Sequence, residues 1–263
     1  MNQPDLTANR FSPGTFAPDP RPTTRTAMLA AQTRLELILL LRNGEQLLLT
    51  MFIPITLLVG LTLLPFGGLG EDRVDKIVPG VMMVAVMSTA FTGQAIAVGF
   101  DRRYGALKRL GATPLPRWGI IAGKSAAVLI VVVLQAILLG AIGFALGWRP
   151  DVPGLLLGSV VIALGTATFA AMGLLLGGTL KAEIVLALAN ILWFVMLGIA
   201  SVVFAADDLH VAVNVLARLV PSGALAVTLE HALRSSVDWF GLAVLAVWGV
   251  VSGALAARWF RFE

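Results

Sequence analysis

Six long apolar runs, separated by short polar stretches, dominate the sequence. They cover residues 47–66, 77–100, 125–146, 153–176, 184–204 and 239–257. Each run has about 20 residues, the length that an α-helix needs to cross a hydrocarbon core of roughly 30 Å. The pattern therefore predicts an all-α polytopic membrane protein with six transmembrane helices.

Two segments precede the first run. Residues 1–25 are polar and contain five prolines, which predicts a disordered, uncleaved tail because the segment lacks the apolar centre of a signal peptide. Residues 26–46 mix apolar positions with a polar stripe at Gln32, Glu36 and Asn43. Arg34 and Arg42 interrupt this segment, so we expect an amphipathic helix lying in the membrane interface rather than a span.

Two connections between the runs are informative. Arg149, Pro150 and Asp151 predict a tight turn between the third and fourth runs, and hence two spans rather than one long helix. Residues 205–238 are too apolar for an ordinary loop, yet charges, Pro221 and Gly223 interrupt them. We expect short re-entrant or extracytoplasmic helices there, before the sixth span.

The composition agrees with a membrane protein. Apolar residues make up 58% of the 263 residues, charged residues 13%, and the mean hydropathy is +0.90. A soluble domain has roughly 25% charged residues and could not solvate its surface with this composition. The chain has no cysteine, which excludes disulfides and thiolate metal sites.

The basic residues indicate the orientation. A net charge of +4 and a pI near 10.1 would suit a nucleic-acid-binding protein, but the distribution of the charges favours lipid headgroups and membrane topology. Fourteen of the 19 lysine and arginine residues lie on one predicted side: five in the tail and interfacial helix, six from Arg102 to Lys124, one at Lys181 and two at the C-terminus. The positive-inside rule therefore predicts cytoplasmic N- and C-termini.

One stretch looks like a phosphate-binding loop. It runs from Gly119 through Gly123 and Lys124 to Ser125, but the true pattern has four residues between its glycines and follows a β-strand. The alternative is that Lys124 extends from the end of the third span to the interface, while the two glycines allow close helix packing. We favour that alternative and predict no nucleotide site in this chain.

Enzyme and metal constellations are missing from the predicted spans. They contain no histidine and no pair of acidic residues, so we predict neither a catalytic site nor a metal site. The conspicuous polar residues in the spans are Ser88, Gln94, Gln135 and Asn190. Each of them is expected to make an interhelical hydrogen bond or, as the alternative, to contact a substrate.

Some of these amides share a helical face with adaptable apolar side chains. Gln94 lies on one face with Met87 and Phe91, and Asn190 lies one turn from Phe194. A face that mixes methionine, phenylalanine and an amide suits a large amphipathic ligand.

The loop after the second span carries more order than a membrane anchor requires. A positive-inside anchor explains Arg102, Arg103 and Lys108, but it does not explain the spacing of Gly105 and Gly111. Residues 101–110 are predicted to form a short helix that Gly111 ends.

This loop resembles the cytoplasmic loop of ABC-2-type permeases, the membrane subunits of ATP-driven exporters of drugs, lipids and polysaccharides. The matching residues are Asp101, Arg102, Gly105, Leu107, Leu110, Thr113, Pro114 and Leu115. The six spans and the preceding interfacial helix extend the resemblance, so that residues 47–263 correspond to the transmembrane domain. Arg103 and Lys108 depart from the family, which often has acidic residues at these positions.

The resemblance implies a role for each candidate residue. The ATPase-coupling residues would be Asp101, Arg102, Arg103, Gly105, Leu107, Lys108, Arg109, Leu110, Thr113 and Pro114. The substrate path would include Met87, Phe91, Gln94, Asn190 and Phe194.

The resemblance also implies partners and a location. Two cytosolic ATPase subunits would bind ATP and Mg, and a second permease, identical or paralogous, would complete the pathway in a bacterial plasma membrane. The expected substrate is a hydrophobic drug or lipid-like compound. The rival hypotheses are an ATP-independent membrane enzyme or assembly factor, and an ion-coupled carrier.

Overall fold

Helices joined by short turns make up the described part of the chain. The computed structural model describes residues 24–64, 73–205 and 211–261. The helices are α1 (Arg25–Arg42), α2 (Gly44–Leu63), α3 (Arg73–Val86), α4 (Gln94–Arg103), α5 (Ala106–Gly111), α6 (Arg117–Ala145), α7 (Val152–Thr179), α8 (Ala182–Ala205), α9 (Val211–Leu219), α10 (Pro221–Leu233) and α11 (Trp239–Trp259). A π-helical segment, Met87–Gly93, joins α3 to α4. The described residues form no strand, and most of the predicted tail lies outside them.

Six helical stretches within this part of the chain are long and apolar enough to cross a membrane. They are Gln46–Leu63, Arg73–Arg103, Arg117–Ala145, Val152–Thr179, Ala182–Val202 and Trp239–Trp259. The six predicted spans are thereby confirmed as helices. The second stretch is the longest because α3, the π segment and α4 follow one another without a break.

The turn between α6 and α7 confirms that the third and fourth spans are separate. Gly147 has a φ of +105°, a left-handed conformation that glycine adopts without steric strain. Asp151 caps α7 by accepting a hydrogen bond from the Gly154 N–H at 2.8 Å. Ser235 also hydrogen-bonds to Asp151, and these two donors lower the pKa of that carboxyl from its ordinary value.

Helix α7 lies at the centre of the bundle. It packs against the π segment, α4, α10 and α11. A Cβ atom at Gly173 would lie 2.8 Å from the backbone oxygen of Phe91, so only a glycine permits this approach of two helices. The rings of Phe91 and Phe169 meet edge to face at 6.4 Å between centroids in the adjoining core.

Helix α1 packs against α6 through its polar face. Gln32 and Glu36 are buried there, whereas Leu35 and Leu39 on the other face are 44% and 56% exposed. This arrangement reverses the usual order of a soluble protein, and it is the stable one where the surrounding solvent is lipid. Asn43 separates α1 from α2 and caps α2 by accepting a hydrogen bond from the Gln46 N–H.

The segment before the last span contains two short helices, which meet at an angle of 102°. Ten of the 13 residues of α10 are buried, whereas Val213 and Leu216 of α9 are exposed. Arg218 of α9 holds the start of α11 through two contacts with Asp238, at 2.6 and 2.7 Å. The depth of these helices in a bilayer stays a prediction.

Asp238 is ionised in this clamp. Burial disfavours its charge, but hydrogen bonds from Arg218, the Gly241 N–H and Thr228 outweigh that effect and hold its pKa below the ordinary value. The ring of Phe240 lies 5.1 Å from the Arg218 guanidinium carbon. The clamp therefore joins α9, α10 and α11 at the end of the bundle away from α5.

Candidate functional site

A cavity of about 510 Å³ lies between α2, the second span and α8. Its walls combine apolar side chains with amides and hydroxyls, and none of the lining residues that the structure describes is charged. The lining residues are Asn43, Gln46, Thr50, Ile53, Ser88, Thr92, Gly93, Ile96, Leu186, Asn190, Trp193 and Phe194. We call this the membrane cavity. Its volume lies within the range of sites for small organic molecules.

The π segment decides which residues of the second span face the membrane cavity. Ser88, Thr92 and Gly93 line it. Met87 and Phe91 lie on the opposite side, 0% and 2% exposed, within the large core cluster. A π turn carries more residues than an α turn and so rotates the side chains that follow it; such segments are frequent at functional sites.

The predicted substrate-path residues therefore divide into two groups. Asn190 and Phe194 lie together at the membrane cavity, where the Phe194 ring is 67% exposed. Met87, Phe91 and Gln94 are buried in the interior instead, and a Cβ on Gly173 of α7 would lie 3.2 Å from the Cβ of Gln94. The structure does not bring this second group to the membrane cavity.

Hydrogen bonds hold much of the polar lining in place. The Trp193 indole nitrogen donates to Ser88 Oγ at 3.2 Å, and that hydroxyl donates to the Val84 carbonyl at 2.8 Å. Asn190 Nδ2 donates to the Leu186 carbonyl within its own helix, so its predicted interhelical bond is not formed by this nitrogen. Thr92 Oγ1 is buried and makes no hydrogen bond within the described part of the chain.

Gln135 makes the interhelical bonds expected of it. Thr89 Oγ1 donates to Gln135 Oε1 at 2.9 Å, and Gln135 Nε2 donates to the Thr50 carbonyl at 3.1 Å. These bonds tie the first, second and third spans together directly behind the membrane cavity.

The loop after the second span, residues 101–114, is fixed to the bundle at its start. We call it the coupling segment. Arg102 Nη1 donates to the Gly178 carbonyl at 2.7 Å, and Arg102 Nη2 donates to the Leu180 carbonyl. Arg103 pairs with Glu183 of α8 at 2.6 Å. Both arginines therefore serve in this structure to hold the end of α4 against α7 and α8.

The coupling segment contains a short helix, α5, which is shorter than the helix predicted over residues 101–110 because Asp101–Arg103 belong to α4. Gly105 begins it with a φ of +71°, and Leu107 is fully buried in a small apolar cluster that also contains Leu174 and Phe260. The outer side of the segment is exposed at Tyr104, Lys108, Arg109, Thr113 and Pro114. The buried leucine holds α5 in place while the polar side faces away from the bundle.

A group of three charges lies where the coupling segment begins, and two of its members, Lys124 and Glu36, are buried. Lys124 Nζ is 2.9 Å from Glu36 Oε2 on α1 and 2.7 Å from Asp101 Oδ2 at the end of α4. Gln32 Nε2 also donates to Glu36, at 2.8 Å. The prediction that Lys124 extends to the interface is wrong, because its side chain is only 6% exposed and its ammonium is held by Glu36 and Asp101. These residues, the charge triad, join α1, α4 and α6.

Residues 29–226 match the sequence profile of the ABC-2 type transporter family. This match covers the first five spans, the membrane cavity and the coupling segment. The chain belongs to the ABC-2 type transporter family. It is therefore a multi-pass membrane permease of ABC transporters, a family that normally works with ABC ATPase partners. No individual curated protein matches the chain.

Sequence reasoning missed several residues of this ABC-2 permease. Gln46, Thr92 and Trp193 line the membrane cavity without having been singled out. Ser88 was recognisable as a polar residue within a span, but its face was not. Glu36 was recognisable as part of a polar stripe, although nothing in the sequence pairs it with a lysine 88 positions away.

Proposed function

We propose that this permease is one half of an ATP-driven exporter whose two ATPase subunits bind the coupling segment. The observation that carries the proposal is the course of the second span. Its middle lines the membrane cavity with Ser88, Thr92 and Ile96, and its C-terminal end leads through Gly105 into α5. About ten residues, or roughly 15 Å of helix, separate Thr92 from Arg102.

The exposed side of α5 supports its assignment as the ATPase-docking surface. Tyr104 is 68% exposed, and Lys108 and Arg109 lie beside it on the outside. Aromatic and arginine side chains of this kind dominate the energetics of protein interfaces. Because the surface is basic, the partner ATPase should offer an acidic groove.

The side chains that line the membrane cavity favour an uncharged or weakly polar substrate. A charged molecule would find no counter-ion among the lining residues, and an unpaired charge is costly in a low-dielectric site. The amides, hydroxyls and apolar side chains suit a hydrophobic drug or lipid-like compound. A second permease, identical or paralogous, would close the open side where Asn190 and Phe194 are exposed.

The ATPase subunits would bind ATP and Mg. The coupling segment and both termini of the permease would then lie on the cytoplasmic side of a bacterial plasma membrane.

The rival functions are less well supported. An ion-coupled carrier is expected to have charged residues in its path, and the described lining of the membrane cavity contains none. Family membership argues against an ATP-independent enzyme or assembly factor.

The docking proposal is tested by reversing two exposed charges, with K108E and R109E in one variant. We expect ATPase recovery with the affinity-tagged permease to fall by about 30-fold or more, because interface hot spots contribute about 2 kcal/mol each. Quantitative mass spectrometry of the purified complex measures the loss. Arg103 is left unchanged because it pairs with Glu183.

The matched control reverses two exposed arginines of α1, with R34E and R42E. This variant changes the same amount of charge on the same side of the membrane, and it should retain the ATPase. Normal ATPase recovery with K108E/R109E, or equal loss in both variants, would contradict docking at α5.

A further inference from the structure

A second cavity lies where the end of α7 meets the end of α11. It has a volume of about 420 Å³ and is lined by Thr179, Arg258, Trp259, Phe260 and Arg261. We call it the arginine cavity. The Arg261 N–H donates to the Gly178 carbonyl at 3.0 Å, the same oxygen that accepts from Arg102. The arginine cavity therefore lies beside the start of the coupling segment, at the end of the bundle that we propose to be cytoplasmic.

The charges of the arginine cavity are not neutralised by the described residues. Arg103, Arg218 and Arg234 each pair with a carboxylate. Within residues 24–64, 73–205 and 211–261, no carboxylate pairs with Arg258 or Arg261, and both are exposed. The charge of Arg261 also repels that of Arg102. Positive charges concentrated in this way attract an anion.

The neighbouring aromatic residues give the arginine cavity an apolar wall. Phe260 is 9% exposed and packs over Gly178, which fixes the base of the cavity. The Trp259 indole is 54% exposed at the end of the last span. Tryptophan at this position is typical of residues that lie at the level of lipid headgroups.

We propose that the arginine cavity binds the phosphate group of an anionic phospholipid. A guanidinium offers two parallel N–H donors that match two phosphate oxygens, and basic pockets between transmembrane helices commonly bind such headgroups. A zwitterionic lipid fits less well because its own ammonium group is repelled by the two arginines. The proposal goes beyond the exporter function and does not depend on it.

The test measures lipid retention by the full-length protein. Wild-type protein is placed in nanodiscs of phosphatidylglycerol and phosphatidylcholine, transferred to detergent, and analysed by native mass spectrometry. We expect wild-type protein to retain phosphatidylglycerol. The amount of phosphatidylglycerol bound to the R258Q/R261Q variant should be lower by a factor of about ten or more, because each charge-assisted hydrogen bond to the phosphate adds to the binding free energy.

The matched control is R34Q/R42Q, which removes two exposed arginines of α1. General attraction of lipid to basic residues predicts equal losses in both double variants. A specific site predicts a loss only in R258Q/R261Q. Equal losses, or no loss in either variant, would overturn the proposal. Melting temperatures measured alongside identify a variant that is merely unfolded.

Two further experiments complete the test: the first identifies the source of the phosphate, and the second asks whether a carboxylate of the chain competes with it. Delipidated protein is incubated with inorganic phosphate: binding of phosphate without any preference for phosphatidylglycerol over phosphatidylcholine would assign the site to a soluble anion and overturn the lipid proposal. Glu263 lies outside the described residues, and E263Q tests whether its carboxylate competes. Unchanged or increased lipid retention in E263Q supports the proposal, whereas retention that occurs only in E263Q overturns it for the natural chain.

Discussion

Replacement of Lys124 by methionine tests whether the charge triad stabilises the permease. Lys124 lies about 10 Å along α6 from Arg117, too deep for its ammonium to reach water freely, and its side chain is 6% exposed. Methionine keeps most of the volume and removes the charge. The change leaves Glu36, which is 8% exposed, with only the Gln32 amide as a hydrogen-bond donor among the described side chains.

The expected cost follows from what remains buried. Removing one partner of a buried ion pair costs about 3–5 kcal/mol, mainly because the other charge is left without compensation. Asp101 is 37% exposed and can be hydrated after the change, so we expect the lower end, about 3 kcal/mol. For a chain of this size that corresponds to a fall in melting temperature of about 6–12 °C.

Thermal unfolding in detergent or nanodiscs, followed by tryptophan fluorescence, measures this loss. The double variant E36Q/K124M removes both buried charges and should recover most of the stability, with a coupling energy of about 2 kcal/mol. Lys181 is exposed at the same end of the bundle, so K181M is the matched control and should change stability by less than about 0.5 kcal/mol. A K124M protein that melts like K181M, or a double variant no more stable than K124M, would refute the reasoning.

Two further predictions concern the membrane cavity and the clamp at the opposite end. N190L should raise the half-maximal concentration of hydrogen-bonding substrates by about 2–10-fold in substrate-stimulated ATP hydrolysis, while purely apolar compounds are unaffected; an unchanged profile across several compounds would argue that the cavity is not the substrate path. D238N should lower stability by about 1–3 kcal/mol, because Arg218 loses its charged partner and is only partly exposed. Since the pKa of Asp238 is lowered by folding, its stabilisation is present above the ordinary value of about 3.9 and is lost as the pH falls through the lower folded value. Melting curves from pH 8 to pH 3 should therefore show a decline below about pH 4 that is smaller in D238N.

The elements that depend on local pattern could be predicted from the sequence. Hydropathy located the six spans because each apolar run has to satisfy its own backbone hydrogen bonds in lipid. Glycine and proline located the turn between the third and fourth spans, where Gly147 adopts a positive φ. The short helix predicted over residues 101–110 begins later, at Ala106, because Gly105 has a positive φ and interrupts it. In each case the residues that determine the structure are close together in the chain.

The orientation of α1 could not be predicted in the same way. An amphipathic pattern separates two faces, but it does not state which one faces the protein. In water the apolar face is buried, whereas beside lipid the polar face gains more from burial if it finds partners. Glu36 finds Lys124, which is 88 residues away in the chain, and no periodicity within α1 contains that information.

The misplaced part of the substrate path has a different cause. A regular α-helix through residues 87–94 places Met87, Phe91 and Gln94 on one face, as the sequence suggested. That face is indeed shared, but it packs against α7 through Gly173. Hydropathy does not distinguish two faces of a helix that are both apolar enough for the interior of a membrane protein.

The π segment connects these observations. Its seven residues supply Ser88, Thr92 and Gly93 to the membrane cavity, while Phe91 from the same segment packs against Phe169. Below it, Arg102 fixes α4 to the end of α7, so α4 cannot rotate without moving α7. A π segment is rare and occurs mostly as a single turn inside an α-helix, frequently at a functional site. We therefore expect the second span to change the face that it presents to the membrane cavity at Met87–Gly93. The helices on either side are held in place, α4 by Arg102 and α3 by its burial in the core.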